Sequence, residues 1–278
     1  MKILILGGGY TGTHLERSLK QDHDVTILRK AELNYNAGTD AFTSYLREHE
    51  YDYVINCSGF TGRPNVDQCE DEKPSCWDLN VTGPFRVNQS CRELSIPYIH
   101  ISSGCIYTGY DKEYVEDDEP NFGMWSKQSS FYSKTKHAYE ILCKDYGLTI
   151  RIRMPFDDDI ESTRSVLHKL RKYDNLVDFV NSKTYLSDLC DFILLYINKG
   201  YTESDVINFV NPDALSTKDV ADIMSKAGKG NSSWKFVDFD SLGTKANRSN
   251  CVLNIDKLKT KYNFTPKTER EALNLALF

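Results

Sequence analysis

Short apolar runs alternate with longer amphipathic segments along the first part of the chain. The apolar runs, which have the length and composition of buried strands, cover residues 2–6, 24–28, 53–55, 96–102 and 149–154. Helices are predicted after the first run through Leu19 and at residues 39–49, 75–94 and 131–145. Because strands that alternate with helices usually form a parallel sheet, the sequence predicts a doubly wound α/β fold with helices on both faces.

The alternation of strand and helix weakens after about residue 155. Short helices are predicted at 163–173, 186–198 and 216–227, together with a short strand at 205–209. No internal repeat and no Gly/Pro-rich linker divides the chain. We therefore expect a sheet domain over residues 1–155 and a smaller substrate-binding region over 156–278, interleaved with the first.

Composition and charge narrow the class of protein. The chain has 278 residues, with 34 Lys and Arg against 40 Asp and Glu and a formal net charge of -6. This acidic balance gives no global field for nucleic acid, so an anionic ligand must be held by local groups. Mean hydropathy is -0.50, and no apolar run approaches the roughly 18 residues of a membrane span. The N-terminus is too short for a signal peptide, so a cytoplasmic protein without membrane contact is expected.

The eight cysteines do not form a metal-binding pattern. No CxxC pair occurs, and no Cys/His spacing suits zinc, so reduced thiols and no metal are expected. The run Asp157–Asp159 has three consecutive acids, which do not share one face of an element. We interpret this run as a solvated loop.

The first motif with a chemical meaning is Gly7-Gly8-Gly9-Tyr10-Thr11-Gly12, between a strand and a helix. It fits G-x-G-x-x-G, in which Gly7 makes a tight turn and Gly9 lets a pyrophosphate approach the backbone. Gly12 lets the helix pack closely on the strand, and Tyr10 and Thr11 begin the helix whose free N–H groups attract an anion. The motif predicts a dinucleotide site in a Rossmann-like sheet.

The end of the second strand indicates which dinucleotide binds. NAD enzymes usually place Asp or Glu there for the ribose 2′-hydroxyl, but this chain has Leu28-Arg29-Lys30. A guanidinium suits a 2′-phosphate, so we infer NADP(H) with Arg29 as the contact. The alternative is a solvated basic turn, because Glu32 lies close enough to compete for Arg29.

The second motif is Tyr132-Ser133-Lys134-Thr135-Lys136, which follows a strand ending near Ser103. Tyr132 and Lys136, four residues apart, lie on one face of a helix, where the ammonium favours the phenolate by its charge. A phenol with a lowered pKa is a usable acid or base, and Ser103 can hydrogen-bond the same carbonyl oxygen. The glycine turn, the serine and the Tyr/Lys pair together predict a reductase site.

With these motifs the chain resembles the extended short-chain dehydrogenase/reductases, although its glycine turn is one residue shorter. Asn56–Gly59, Thr61–Asp67, Phe131–Lys136, Arg151–Pro155 and Arg248–Leu258 are similar to segments of nucleotide-rhamnose synthases and dehydrorhamnose reductases. The resemblance implies cofactor contacts from Cys57, Ser58 and Gly59. It also implies an activity, the bifunctional 3,5-epimerisation and 4-reduction of an NDP-4-keto-6-deoxyglucose.

The resemblance also implies an epimerising pair. Cys105 stands two residues after Ser103, where epimerising relatives carry a cysteine, and Lys169 matches the lysine that opposes it across the sugar. His168 is an alternative acid. Protons at C3 and C5 of the sugar are acidified by the C4 ketone, so one base and one acid on opposite faces suffice.

Substrate contacts are expected from three segments. Residues after the third strand lie at the carboxyl edge where open α/β sheets bind ligands, and they include Thr61, Arg63, Asn65 and Val66. Asn181 and Lys183 precede a helix and are candidates for sugar or phosphate. Arg248 is the candidate for the diphosphate, because guanidinium groups bind phosphate oxygens bidentately. Asn80 is expected to order this region.

Three other functions are alternatives to the bifunctional one. A pure 4-reductase needs neither Cys105 nor Lys169, and a non-enzymatic NADP-sensing regulator has no use for Tyr132 and Lys136. A 4,6-dehydratase normally has an Asp-Glu pair where this chain has Gly104-Cys105. UDP and dTDP carriers both fit the residues. By analogy with the family, a homodimer through helices 75–94 and 131–145 is expected.

Overall fold

The computed structural model describes residues 1–32, 34–35 and 39–278, and its centre is a six-stranded parallel sheet. The strands in chain order are β1 (Lys2–Leu6), β2 (Asp24–Leu28), β3 (Tyr53–Asn56), β4 (Tyr98–Ser103), β5 (Leu148–Ile152) and β9 (Asp205–Asn208). Their order across the sheet is β2-β1-β3-β4-β5-β9. Side chains alternate between its faces, so Ile3 and Ile5 join one core while Leu4 and Leu6 join the other.

Helices cover both faces of this sheet, which confirms the doubly wound α/β prediction. They are α1 (Tyr10–Leu19), α2 (Thr39–His49), α3 (Gln68–Asp71), α4 (Lys73–Trp77), α5 (Gly83–Glu93), α6 (Phe131–Cys143), α7 (Val166–Lys172), α8 (Leu186–Asn198), α9 (Thr217–Lys226), α10 (Asp256–Tyr262) and α11 (Glu269–Leu277). Helices α1 and α8 pack on one face, and α2, α5 and α6 pack on the other. In the described part of the chain, no helix has the length and apolar character needed to cross a membrane.

The single long helix predicted at 75–94 is wrong in detail. Helices α4 and α5 are joined by a π-helical segment, Asp78–Thr82, and Pro74 and Pro84 lie at their first turns. A π turn adds a residue to the helical repeat and re-aims the side chains that it carries. Here it carries Asn80, which is fully buried.

Residues after 155 form part of the central sheet as well as a smaller layer beside it. Strand β9 pairs with β5 and completes the sheet. Two small parallel pairs join β6 (Pro155–Phe156) to β8 (Thr184–Tyr185), and β7 (Asn175–Leu176) to β10 (Lys235–Phe236). A third apolar cluster unites α7, α9 and α11 beneath them.

The order in which successive strands are added to the sheet reverses between β1 and β3. Strand β2 lies beside β1 on one side and all later strands lie on the other, so successive connections run in opposite directions from this point. Leu6 and Asn56 are register partners, so Gly7 and Cys57 leave the sheet side by side. Open α/β sheets bind ligands in the crevice at such a switch point.

Candidate active site

The glycine turn after β1 has the geometry that a bound pyrophosphate requires. Gly7 has φ +96°, and a Cβ there would lie 2.9 Å from the Ser58 backbone. A Cβ on Gly12 would lie 2.0 Å from the Gly7 carbonyl oxygen, so only glycine lets α1 pack so closely. A Cβ on Gly9 would meet nothing within 4 Å, and no side chain caps the N-terminus of α1. The first turn of α1 therefore offers its N–H groups to open space beside Gly9.

A cavity of about 270 Å³ lies at the switch point of the sheet. It is lined by Gly7, Gly8, Gly9, Arg29, Lys30, Tyr35, Cys57, Ser58, Gly59 and Leu79. The loop after β3 is fixed by Asn56, whose side-chain oxygen accepts hydrogen bonds from the Ser58 N–H (2.9 Å) and hydroxyl (2.6 Å). The shape of this cavity, its glycines and the free N–H groups beside it fit the pyrophosphate of a dinucleotide. Seven of its lining residues were predicted as cofactor contacts or as part of the glycine motif.

Arg29 lies at the rim of this cavity and folds over the glycine turn. A Cβ on Gly8 would lie 2.7 Å from its Nε, and its Nη1 is 3.8 Å from a carboxylate oxygen of Glu32. Both side chains are about half exposed. The guanidinium thus lies at the cavity rim, where Glu32 is a weak surface competitor, and its contact with a 2′-phosphate stays a prediction.

Tyr10 and Thr11 do not line the cavity. The Tyr10 hydroxyl instead donates a 2.6 Å hydrogen bond to Asp157, and His14 Nε2 lies 2.6 Å from the other oxygen of that carboxylate. The prediction of a solvated loop holds for Asp158 and Asp159, which are exposed, but it is wrong for Asp157, which is fully buried. Tyr10 and His14 are four residues apart on α1, so they face Asp157 together. The Tyr10 side chain is therefore not a cofactor contact, although its backbone N–H lies in the first turn.

The predicted Ser103, Tyr132 and Lys136 come together at the carboxyl end of β4. Ser103 ends β4, and α6 begins after the N-cap Ser130 so that its first two turns carry Tyr132 and Lys136. The Ser103 side chain lies close enough to the Tyr132 phenol to affect its pKa, and Lys136 Nζ lies 5.9 Å from the centre of the Tyr132 ring. All three side chains are buried.

Burial dominates the protonation of this group. Burial raises the pKa of Tyr132 above its ordinary value, the charge of Cys105 raises it further, and the Ser103 hydrogen bond opposes both. Burial also lowers the pKa of Lys136. The expected lowering of the Tyr132 pKa by Lys136 is therefore wrong for the protein without ligands, because desolvation outweighs the ammonium. The phenol is held in its protonated form.

Asn80 connects this group to the cofactor loop, as expected. Its side-chain oxygen accepts a 2.7 Å hydrogen bond from the Phe60 N–H, and its amide nitrogen donates to the Phe60 carbonyl (2.9 Å) and Thr135 Oγ1 (3.1 Å). A Cβ on Gly59 would lie 3.1 Å from Asn80 Oδ1 and 3.6 Å from Lys136 Nζ. Glycine at position 59 therefore lets the loop lie close against the Asn80 side chain.

Cys105 adjoins this group, and Lys169 lies close enough to Cys105 for the two charges to interact. The Cys105 N–H donates a 3.2 Å hydrogen bond to Ser103 Oγ, and its half-buried side chain packs in an apolar cluster with Tyr132 and Val66. Burial and the charges of Arg164 and Arg248 lower the pKa of Lys169, while Cys105 opposes them. His168 instead bonds the Ile160 carbonyl at 3.2 Å, so Lys169 is the better partner for Cys105.

The predicted substrate residues after β3 form one loop. Thr61 Oγ1 accepts a 2.9 Å hydrogen bond from Arg164, and Asn65 Oδ1 accepts one of 2.8 Å from the Asp67 N–H. Arg63, which precedes a cis Pro64, has an exposed side chain. Arg248 Nη2 lies 2.9 Å from Asp67 Oδ1, so it also reaches this loop.

Two of the predicted substrate contacts are wrong. Lys183 is buried, and its ammonium donates to the Asn181 and Leu215 carbonyls and, at 2.7 Å, to the buried carboxylate of Glu269. Asn181 is also buried, and its side chain bonds Arg153, the Cys251 N–H and Asn250. Their polar atoms are used within the protein, because both residues lie where β8 begins beneath the surface.

Arg153 and Arg164 were missed by the sequence reasoning. The buried guanidinium of Arg153 donates to the Gly104 carbonyl (3.1 Å), Ser249 Oγ (2.8 Å) and Asn181 Oδ1 (2.6 Å), so it fixes the residue before Cys105. The signal for Arg153 was a second charged residue just past the end of an apolar strand. Arg164 precedes the N-cap of α7 and gave no local signal.

Comparison with known proteins shows the family of the chain. A family model described as the RmlD substrate binding domain matches residues 1–277. A bifunctional dTDP-4-dehydrorhamnose 3,5-epimerase/dTDP-4-dehydrorhamnose reductase of Arabidopsis thaliana is 33% identical over 222 residues, covering 76% of this chain and 71% of that protein.

Solved structures share the whole fold. The L780 UDP-rhamnose synthase from Acanthamoeba polyphaga mimivirus matches with a TM-score of 0.88 at 24% identity, covering 99% of this chain and 98% of that one. The dTDP-4-dehydrorhamnose reductase from Bacillus anthracis, in complex with NADP, matches with a TM-score of 0.82 at 18% identity over 98% and 97% of the two chains. The chain therefore belongs to the RmlD substrate-binding domain family, which confirms the nucleotide-rhamnose resemblance of its motifs.

Proposed function

We propose that this chain is a bifunctional 3,5-epimerase and NADPH-dependent 4-reductase. Its substrate is UDP- or dTDP-4-keto-6-deoxy-D-glucose and its product the corresponding NDP-L-rhamnose. The proposal rests on one observation, the 3.2 Å hydrogen bond from the Cys105 N–H to Ser103 Oγ, which joins Cys105 to the Ser103, Tyr132 and Lys136 group. The effect of the Cys105 charge on the pKa of Lys169 supports Lys169 as the opposing acid. The Arabidopsis relative, whose name states both activities, supports it.

NADPH, when bound, supplies the hydride that reduces the C4 ketone. Gly7, Gly9, Cys57, Ser58 and Gly59 line the cavity that would hold it, with Arg29 at the 2′-phosphate. The Ser103 and Tyr132 hydroxyls hold the C4 oxygen, and Tyr132 gives that oxygen its proton. A phenol that burial keeps protonated is in the form that this step requires. Lys136 stabilises the phenolate that remains.

Epimerisation needs a base and an acid on opposite faces of the sugar. Cys105, as thiolate, removes the proton from C5 or C3, and the electron pair of that C–H bond moves into an enolate. The enolate oxygen is the C4 oxygen, which Ser103 and Tyr132 already hold. Lys169 then gives a proton to the carbon from the other face. Its lowered pKa makes it a better acid than an exposed lysine.

We propose that the sugar nucleotide lies along the loop after β3. Val66 packs in the same cluster as Cys105, and Thr61 and Asn65 lie on the same loop. Arg63 and Arg248 supply positive charge for the diphosphate. The exposed Ile141 and Leu142 of α6 are consistent with a homodimer through α4, α5 and α6.

Incubation with NADPH and each 4-keto-6-deoxyglucose nucleotide in D2O tests the proposal. Mass spectrometry and proton NMR should show NDP-L-rhamnose with deuterium at C3 and C5. Reduction of pre-epimerised 4-keto-rhamnose alone would indicate a pure 4-reductase. Absence of NADPH oxidation with every substrate would favour the regulator and overturn the proposal.

A further inference from the structure

A buried arginine lies directly behind the turn at Ser103–Cys105. Arg153 follows the last residue of β5, and only 2% of its surface is exposed. Its Nη1 donates hydrogen bonds to the Gly104 carbonyl at 3.1 Å and to Ser249 Oγ at 2.8 Å. Its Nη2 donates to Asn181 Oδ1 at 2.6 Å and to the Ser249 carbonyl at 3.1 Å. The guanidinium therefore joins three segments of the chain, and all four of these acceptors are neutral.

The charge of Arg153 has no carboxylate partner in the part of the chain that the structure describes. Arg151, two residues earlier, is also buried, but its Nη2 lies 2.8 Å from the buried carboxylate of Glu140. Burial lowers the pKa of Arg153, and four weakly acidic groups raise it, the thiols of Cys251 and Cys105 and the phenols of Tyr110 and Tyr132. A buried charge without a counter-ion costs folding free energy. Such a charge acts strongly on any negative charge that forms nearby.

One peptide group connects this arginine to the proposed catalytic serine. The carbonyl of the peptide between Gly104 and Cys105 accepts the bond from Arg153, and the N–H of the same peptide donates to Ser103 Oγ at 3.2 Å. Because a peptide group is planar, a bond that holds its carbonyl also sets the direction of its N–H. A Cβ on Gly104 would lie 3.2 Å from Arg153 Cγ, so glycine lets the arginine side chain pack against this peptide.

The Ser103 hydroxyl keeps its own proton for the substrate. A hydroxyl has one O–H donor and two acceptor lone pairs, and the Cys105 N–H occupies one of the lone pairs. Hydrogen bonds in a chain polarise one another, and a bond from a charged donor is stronger than a bond between neutral groups. The positive charge at the Gly104 carbonyl therefore strengthens the N–H bond to Ser103 Oγ, and this bond makes the hydroxyl a better donor.

We propose that Arg153 is a positioning residue for the proposed reaction. It holds the peptide that bonds Ser103 Oγ, and through this peptide its charge strengthens the hydrogen bond from the Ser103 hydroxyl to the C4 oxygen of the sugar. That oxygen becomes negative both in the enolate and during hydride transfer, so both steps should depend on Arg153. The inference rests on the proposed function, and it adds a residue that acts through Ser103 instead of on the sugar itself.

Asn181→Asp tests the charge without removing the arginine. The new carboxylate would stand at the position of Asn181 Oδ1, 2.6 Å from Arg153 Nη2, and would give the guanidinium a counter-ion. Asn250, whose Oδ1 accepts from Asn181 Nδ2 at 2.9 Å, can turn its amide to donate instead. The kcat for reduction of pre-epimerised 4-keto-rhamnose and the rate of deuterium uptake at C3 and C5 in D2O should each fall about ten-fold. KM for the sugar nucleotide and for NADPH should stay unchanged.

Two further comparisons separate this role from a purely structural one. Asn247→Asp adds the same charge at an exposed position two residues before Ser249, where solvent screens it, and should keep the wild-type kcat. Arg153→Lys should retain part of the kcat that Arg153→Met loses, because lysine keeps the positive charge. Where circular dichroism shows that Arg153→Met does not fold, Asn181→Asp decides. An unchanged kcat in Asn181→Asp overturns the proposal, whether or not KM rises.

Backbone NMR tests the connection to Ser103 without turnover. Labelling with 15N-cysteine reports on the eight cysteine N–H groups, and the Cys105 signal is the one that Cys105→Ser removes. In Asn181→Asp the Cys105 amide proton should move upfield, because its bond to Ser103 Oγ weakens. The Cys251 N–H, which donates to Asn181 Oδ1 at 3.1 Å, should move downfield, because its acceptor becomes a carboxylate.

The two cysteine signals together give a decisive result. A moved Cys251 signal beside an unmoved Cys105 signal would show that the charge of Arg153 does not reach Ser103, and it would overturn the proposal. Failure of every 4-keto sugar nucleotide to react with NADPH would overturn the proposed function, and with it the effect of Arg153 on the two steps. The Cys105 signal would still decide whether Arg153 acts on Ser103.

Discussion

The hydroxyl of Tyr10 donates a 2.6 Å hydrogen bond to Asp157, a residue 147 positions later in the chain. Tyr10 begins α1 directly after the glycine turn, and Asp157 follows β6 in the segment that leads to α7. Eight residues after Asp157, Ser165 is the N-cap of α7. The helix at the cofactor cavity is thus tied to the helix that carries Lys169.

Tyr10→Phe tests how much this bond stabilises the fold. The substitution leaves the buried Asp157 with one donor fewer, so the free energy of unfolding should fall by about 1–3 kcal/mol. Urea denaturation near neutral pH measures it. Tyr173→Phe, at an exposed tyrosine, should change it by less than about 0.5 kcal/mol. Equal effects of the two substitutions would contradict a stabilising bond at Asp157.

His14 makes the stability of this connection depend on pH. The hydrogen bond to Asp157 raises the pKa of His14, although burial opposes the shift. Because the pKa is raised on folding, the stabilisation is complete below about pH 6.5 and is lost as pH rises through the folded value. The difference in unfolding free energy between wild type and His14→Gln should therefore shrink from about pH 5.5 to about pH 9. Burial lowers the pKa of His23, so His23→Gln should show the opposite trend.

Local pattern predicted most of the sheet and the first helices. Four elements have the bounds that the sequence predicts: the strands at 2–6 and 24–28 and the helices at 39–49 and 186–198. In each of them the apolar side chains recur with the period of the element and face the core. The helix at 75–94 failed because its apolar spacing does not record the π turn around Asn80. The π turn directs the Asn80 side chain to the backbone of Phe60, which lies 20 residues earlier and donates a hydrogen bond to it.

The residues of the site also fall into those that local pattern predicted and those that it did not. The glycines, Tyr132 and Lys136 follow spacing rules of a turn and a helix face, so their placement near one another was predictable. Asp157 and Lys183 were misinterpreted because their partners, Tyr10 and Glu269, are far away in sequence. Whether a charged side chain can be buried depends on such distant partners, and a short sequence pattern does not reveal them.

Arg29 should determine the preference for NADPH over NADH. Removing its charge in Arg29→Gln should weaken NADPH binding about ten- to hundred-fold and leave NADH binding unchanged, because only NADPH carries the 2′-phosphate. Fluorescence titration measures both affinities. Lys20→Gln removes an exposed cation of the adjacent α1 and serves as control. A parallel loss of NADH affinity would assign Arg29 to the shape of the glycine turn instead.

Lys183→Met should destabilise the fold without affecting substrate affinity. The substitution leaves Glu269 buried without its counter-ion, at a cost of about 3–5 kcal/mol. Burial already raises the pKa of Glu269 to about 7. The loss should therefore be smaller at about pH 5, where a protonated Glu269 needs no cation, than at about pH 8. Urea denaturation at both values measures it, and weaker binding of the sugar nucleotide at unchanged stability would contradict the structural role.

Cys105→Ser should separate the two proposed activities. A hydroxyl is a far weaker base than a thiolate, so deuterium uptake at C3 and C5 should fall by at least about 100-fold. Reduction of pre-epimerised 4-keto-rhamnose should continue, because Ser103, Tyr132 and Lys136 are untouched. NMR follows the exchange and NADPH absorbance follows the reduction.

Two further variants complete the comparison. Tyr132→Phe should lose reduction, since the phenol that protonates the C4 oxygen is gone. Cys251→Ser is the control, because it removes a different thiol from the same region. The buried Cys251 sulfur lies 4.0 Å from the carbonyl of Gly104, the residue before Cys105. The Cys251→Ser variant should keep both activities. Equal loss of exchange and reduction in Cys105→Ser would mean that Cys105 supports the pocket as a whole, and the chain would then lack a dedicated epimerising base at that position.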